Sequence, residues 1–250
     1  MAKQTKRQKE KLMKESTANR YVGYLDIMGF KDMVARNTHH KIYSMMTDVA
    51  ESMNSTQSVF SVDYDTDEDD EVQTNIIMMT YSDSIMVYSK DGGVSSRENF
   101  IASIASLTDS LFHSGIPFKG AVAFGTMTLD FRNSIFFGQP LIDAYLLSEE
   151  LSFYGIVAHA SAEYKAGFRN DESIIKYLCP FKNGAAQHLT ISPITFLPDS
   201  FEVADYKKLY RAVSKLGNKT SGSIRKYIDN TLKYLEHARE EMKKYSDDDN

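Results

Sequence analysis

The chain has 250 residues, 42% hydrophobic and 25% charged, with a formal net charge of −5, enough for one sizeable soluble domain or a domain with a helical appendage. The single Cys179 excludes a disulfide framework and a Cys-rich zinc site, and suits a reducing cytoplasm. No apolar run reaches the roughly 20 residues that span a bilayer, and the acidic balance gives no reason to expect long nucleic acid as a partner.

Residues 1–20 carry Lys3, Lys6, Arg7, Lys9, Lys11, Lys14 and Arg20 against Glu10 and Glu15. They have no apolar centre, so they read as a solvated, partly helical extension and not a secretory signal, with a nucleic-acid or membrane arm as the alternative. Residues 21–27 form a buried-strand pattern, and 32–53 one or two helices with Ile42, Met45, Met46, Val49 and Met53 at helical spacing. The acidic stretch 63–71 lacks the central glycine of a calcium loop and a terminal glutamate at the required spacing, and reads as a solvated, mobile loop. Residues 75–81 and 85–88 flank Ser82-Asp83-Ser84 as a hairpin. Residues 98–114 are helical, with Ile101, Ile104, Ala105, Leu107 and Leu111 on one stripe, ended by Gly115-Ile116-Pro117. A strand at 118–124 closes at Gly125, another at 135–137 continues the sheet to a turn at Gly138, a helix covers 141–151, and 155–160 is again strand. The order β-α-β-β-α-β plus a further αβ predicts an α/β (α+β) ferredoxin-like sandwich. Beyond it, residues 206–245 carry a heptad-like set, Ile224, Ile228, Leu232 and Leu235, that predicts a C-terminal helical hairpin or a dimer helix. The expected division is a basic extension at 1–20, a catalytic domain at 21–200 and a helical segment at 201–250.

Two aspartates stand out. Asp26 lies in Tyr24-Leu25-Asp26-Ile27-Met28-Gly29-Phe30, and Asp83 in Thr80-Tyr81-Ser82-Asp83-Ser84-Ile85-Met86. Each is a lone carboxylate in an apolar, strand-like run at a strand end. Burying an ionised carboxylate there is costly unless a cation compensates, and a shared pair of divalent ions would do so. The bland alternatives are a strand-end helix cap for Asp26 and a plain hairpin turn for Asp83. His39, His40, His113, His159, His188 and His237 have no ligand spacing.

The order strand-Asp-Ile-x-Gly-Phe, hairpin Asp, Lys119-Gly120-x-x-x-x-Gly125 and Phe137-Gly138-x-x-x-x-Asp143-Ala144 resembles the class III nucleotide cyclase catalytic domain over residues 21–160. The short form with Lys119-Gly120-Ala121-Val122-Ala123-x-Gly125 and Gly138-x-x-Leu141-Ile142-x-Ala144-Tyr145 looks most like the pyrimidine cyclases of bacterial Pycsar anti-phage systems. That resemblance implies a metal-dependent enzyme making 3′,5′-cyclic UMP from UTP, or cyclic CMP from CTP, read by a separate effector protein. It implies Asp26 and Asp83 as catalytic metal carboxylates for two Mg2+ or Mn2+ ions per site, with the Ile27 carbonyl as a further ligand. It implies triphosphate contacts from Met28, Gly29, Phe30 and Lys119, although Lys119 has a sheet-edge reading too. Class III sites form between two subunits, so a homodimer is implied.

The purine enzymes read their base at two positions that fall here on Met79 and Ile135. Adenylate enzymes place Lys and Asp there, and guanylate enzymes Glu and a small residue such as Cys. Two apolar side chains narrow the cleft and leave a purine edge unpartnered, which favours a smaller pyrimidine. The family's ribose-binding Asn and transition-state Arg become Asp143 and Leu147, and Tyr145 or Arg132 is the expected substitute for the arginine. Two other readings stay open: a cyclase-like module that binds nucleotide without turnover, and a different phosphotransferase on the same core. A diguanylate cyclase signature is absent from the sequence.

Overall fold

The structure, a computed structural model, describes residues 16–62, 73–194 and 203–248. The expected basic extension up to residue 15 and the acidic stretch at 63–71 lie outside them. In chain order the elements are β1 (Thr17–Ile27), α1 (Phe30–Arg36), α2 (His39–Val59), the short pair β2 (Ser61–Val62) and β3 (Gln73–Thr74), β4 (Ile76–Tyr81), β5 (Ser84–Ser89) and α3 (Val94–His113). Then come β6 (Phe118–Asp130), β7 (Ile135–Gly138), α4 (Gln139–Glu150), β8 (Ile156–Ala158), α5 (Ala160–Glu163), β9 (Ile174–Phe181), β10 (Gly184–Ile191), α6 (Val203–Leu216) and α7 (Ser223–Asp248).

The main sheet runs β4-β5-β1-β6-β8-β10-β9, with β7 folded back on β6. β4, β5, β1 and β6 are mutually antiparallel, and β8 joins β6 in parallel. The first four strands are therefore the ferredoxin-like β-α-β-β-α-β unit, and α4 with β8 is the further αβ. β1 lies in the middle because it is apolar on both faces. Tyr21, Leu25 and Ile27 pack into the main core with Phe100, Ile104, Leu107 and Leu111 of α3. A Cβ on Gly23 would meet Ile104 Cδ1 at 3.0 Å, so glycine lets α3 approach that face. On the opposite face Ala121 and Ala123 of β6 pack with Ala144 of α4, beside Tyr24 and Leu147. Small residues on both elements seat α4 close to the strands that carry Asp26.

Helix ends follow local chemistry. Asp91 Oδ1 accepts from the Gly93 amide at 2.8 Å and from Ser96 Oγ at 2.6 Å, which fixes the entry to α3. The helix ends where Gly115 adopts φ 68° and the Ile116 amide returns to the Leu111 carbonyl at 2.9 Å.

Two sequence expectations need correction. β6 does not close at Gly125 but pairs with β1 as far as Thr128 opposite Thr17. Gly125 is a site of close packing, where a Cβ would lie 3.4 Å from the Pro140 ring. Gly138 is likewise in a strand, opposite Met127, where a Cβ would come within 2.5 Å of the Thr126 carbonyl oxygen. Strand glycines of this kind mark close approach and not turns. β7 continues the sheet as expected, as a hairpin on β6.

Of the two C-terminal readings, the structure takes the hairpin. α7 is bonded to its own chain: Thr231 Oγ1 accepts from the Tyr154 amide at 2.7 Å, Asn230 Nδ2 donates to the Ser152 carbonyl at 2.8 Å, and Tyr234 donates to the Ile191 carbonyl at 3.1 Å. Ile228 and Leu235 are buried there, whereas Ile224 is exposed.

Candidate active site

Asp26 lies one residue from the end of β1, and the register sets it between Ser84 of β5 and Lys119 of β6. Asp83 occupies the β4–β5 turn next to Ser84, and its carbonyl accepts from the Ile27 amide at 2.8 Å. Ser82 sustains that turn at φ 59°. The two aspartates thus lie at a single sheet end, Asp26 on the Ser84–Lys119 rung and Asp83 one position further along, beside Ile27. Tyr24, two residues before Asp26 and on the same face, shares a 2.8 Å hydrogen bond with Ser84.

Burial pushes the Asp26 carboxyl above its usual range. Lys119 opposes that shift, and repulsion from Asp83 and Glu149 adds to it. A half-buried carboxylate with a second acid across the turn is a donor set that fits a hard divalent cation. Groups of three or more His, Cys, Asp or Glu suited to a metal do not occur among the described residues, so any ion here must draw on these two acids, main-chain oxygen and substrate. Mg2+ is commonly bound in this way.

The expected triphosphate contacts divide. Gly29 begins α1 at φ 77°, a conformation that suits glycine, and a Cβ there would find open space out to 4.0 Å. Met28 is a correction: its amide already donates to the Pro117 carbonyl at 2.8 Å, so it is not a free donor. Phe30 opens the first turn of α1, where no side chain caps the amides. Lys119 is not a sheet-edge charge. It is interior and only 3% exposed, and its ammonium donates to Glu149 Oε1 at 2.9 Å. That bond holds Glu149 below the usual carboxylate range.

Sequence reasoning missed three neighbours. Glu149 ends α4, Lys182 in the β9–β10 turn lies 4.0 Å from its second oxygen, and Tyr227 of α7 packs 5.8 Å from Tyr154. Burial raises the Tyr227 phenol, and Glu149 and Asp26 raise it further. These residues are 123 to 201 positions from Asp26, and no local pattern links them to it.

The expected base and ribose positions do not all share that face. Met79 of β4 lies opposite Met86 and packs with Ile77, Met86, Phe136 and Leu141 on a small core of Val22, Tyr88, Met127 and Leu129. Ile135 is not in that cluster; it is 47% exposed, and its neighbour Phe136 is the β7 residue that faces inward. Asp143 accepts from Gln139 Nε2 at 2.8 Å and lies 3.9 Å from His159 Nδ1. Tyr145 packs edge-on to Tyr24 at 5.3 Å between ring centroids. Arg132 sits in the β6–β7 turn, about a dozen residues along β6 from Lys119, and is not brought to Asp26 within one chain.

No protein-family model and no curated protein matches the sequence. Solved structures do. The catalytic core of a rhodopsin-guanylyl cyclase with converted specificity, in complex with ATPαS, is similar at TM-score 0.50 and 9% identity, over 70% of this chain and 95% of that one. The guanylate cyclase domain of RhGC from Catenaria anguillulae, in complex with GTP, aligns at TM-score 0.48 and 10% identity over 70% and 96%. The adenylyl cyclase CyaB from P. aeruginosa aligns at TM-score 0.46 and 13% identity over 74% and 97%. The strand order around β1 and the first of these likenesses together give the chain the fold of a class III nucleotide cyclase catalytic domain.

Proposed function

We propose that the protein is a metal-dependent nucleotide cyclase that converts a pyrimidine triphosphate, UTP or alternatively CTP, into its 3′,5′-cyclic monophosphate and pyrophosphate. The observation that carries this reading is the placement of Asp26 and Asp83 on adjacent positions at one sheet end, with the Asp26 carboxyl raised by burial and by its neighbour. Mg2+ or Mn2+ bound there would acidify the ribose 3′-hydroxyl and neutralise the leaving pyrophosphate. Asp26, Asp83 and the Ile27 carbonyl hold the ions, and Gly29, Phe30 and Lys119 bind the triphosphate. Lys119 must then exchange Glu149 for phosphate, or share itself between them. Met79 forms one wall of the base pocket, with Ile135 at its rim. Asp143 orients the ribose, and Tyr145 or Arg132 takes the place of the transition-state arginine.

Residues 21–200 make up the catalytic domain, and two copies form a homodimer with sites between subunits. Phe131, Ile135, Phe137, Ile142, Tyr145 and Leu146 support this, because all are exposed apolar side chains on β7, its turn and α4. The resemblance of its motifs to the Pycsar cyclases supports a role as an alarm enzyme in phage defence, its product read by a separate effector. No helix among the described residues is long and apolar enough to cross a membrane. A second reading, a nucleotide-binding module without turnover, draws on Leu147 at the arginine position and on Lys119 held by Glu149. Incubation with ATP, GTP, CTP or UTP in Mn2+, with products identified by mass, separates the two. A cyclic pyrimidine monophosphate supports the cyclase, and no product from any nucleotide supports the module.

A further inference from the structure

Among the described residues, the buried side-chain nitrogen or oxygen atoms without a hydrogen bond are Arg20 Nε, Arg97 Nε, Arg239 Nε and the Tyr88 hydroxyl. The arginines are engaged elsewhere. Arg20 donates to the Ser89 carbonyl at 2.9 Å, Arg97 to the Ala166 carbonyl at 2.9 Å, and Arg239 lies over the Tyr206 ring at 4.7 Å. The Tyr88 side chain has one polar atom, and it is the unpartnered one. The residue is 0% exposed, so bulk water does not satisfy it, and a buried hydroxyl left alone calls for an explanation.

Its position supplies one. The register sets Tyr88 between Val22 of β1 and Ile77 of β4, on the sheet face that also carries Tyr24 and Asp26. It lies in the cluster on which Ile77, Met79, Met86, Phe136 and Leu141 close. Two of those five are methionines, unbranched and readily repacked around an incoming ring. Met79 is also the position at which purine cyclases read their base.

We infer that Tyr88 is a specificity-determining residue of the base pocket, its hydroxyl donating to a carbonyl oxygen of a pyrimidine base that enters between Met79 and Met86. This rests on the reading of the site as a nucleotide pocket. Burial pushes the phenol up to about 12, so it stays protonated at neutral pH and keeps its donor. Uracil and cytosine both carry the carbonyl at C2, so the contact selects for pyrimidines as a class.

The test is calorimetric binding of 3′-deoxy-UTP, 3′-deoxy-CTP and 3′-deoxy-ATP in Mg2+, probes that lack the attacking hydroxyl and cannot cyclise. Tyr88→Phe removes one oxygen and keeps the ring. The inference expects roughly tenfold weaker binding of both pyrimidine probes, with any affinity for 3′-deoxy-ATP unchanged. Unchanged pyrimidine affinity with a raised unfolding midpoint would overturn it, since the hydroxyl would then be only a buried liability. Failure of the unaltered protein to bind all three probes would overturn the nucleotide reading itself, and this inference with it.

Discussion

Asp26 and Lys119 face each other across β1 and β6, yet the Lys119 ammonium bonds to Glu149 at 2.9 Å. The cation lowers the cost of Asp26 through space, while its hydrogen bond ties the end of α4 to the sheet. The structural role of this lysine is thus visible in the fold, and the proposed function asks it to bind an incoming anion as well.

The two roles separate by mutation. Glu149→Gln leaves a 3% exposed ammonium without its charged partner and should cost about 1–3 kcal/mol in urea unfolding. That is less than for a fully buried pair, because Glu149 is partly solvated. Lys119→Met fills the same space without a charge and should cost less than Glu149→Gln. Triphosphate binding should move the other way, roughly tenfold weaker in Lys119→Met and not weakened in Glu149→Gln. Equal triphosphate affinity in the two variants would leave Lys119 a structural residue only.

The raised Asp26 carboxyl carries a stability consequence. Its folded value lies above the ordinary carboxyl value, so between the two the folded state holds a proton that the unfolded chain has released. Stability is greatest below that ordinary value and declines as pH rises through the window up to the folded value. Asp26→Asn should remove this decline and raise the thermal midpoint at neutral pH by on the order of 2 °C, a small shift because the group is part-solvated. Mn2+ should raise the midpoint of the unaltered protein and not that of Asp26→Asn. A variant that still responds to Mn2+ places the ion elsewhere.

Gly120 follows Lys119 where backbones are closest. A Cβ there would lie 2.5 Å from the Tyr24 carbonyl oxygen and 2.7 Å from Ile156 Cδ1, contacts that cannot be relieved without moving β1. Gly120→Ala should cost about 1–3 kcal/mol and disturb the Asp26 rung, so activity falls further than stability alone explains. Full activity with unchanged stability would mean that the strands separate freely there.

The exposed apolar side chains on β7 and α4 should be covered in solution. Phe137→Glu with Leu146→Glu is expected to give a folded monomer by sedimentation and far-ultraviolet dichroism, with turnover lost because each site needs both copies. A monomer that keeps turnover would place the whole site in one chain.

The sheet's first half was legible because its signals are local. The Ser82-Asp83-Ser84 turn between two apolar runs specifies the β4–β5 hairpin, and the helical stripe of Ile101, Ile104 and Leu111 specifies α3. Glycine misled, since Gly125 and Gly138 read as turn residues until Pro140 and Met127 are seen against them. The β9–β10 hairpin escaped notice because the exposed start of β10, Gly184-Ala185-Ala186-Gln187, has no apolar alternation. Asp26 and Asp83 stood out as charges in apolar runs, whereas Glu149 and Tyr88 matter only through what the fold sets beside them.

The most direct measurement is turnover of UTP and CTP in Mn2+ by the unaltered protein, Asp26→Ala and Asp83→Ala, with products identified by mass and folding checked by circular dichroism. The account predicts a 3′,5′-cyclic pyrimidine monophosphate from the unaltered protein and none from either folded variant. Undiminished cyclic product from either variant, or no cyclic nucleotide from the unaltered protein, would contradict it.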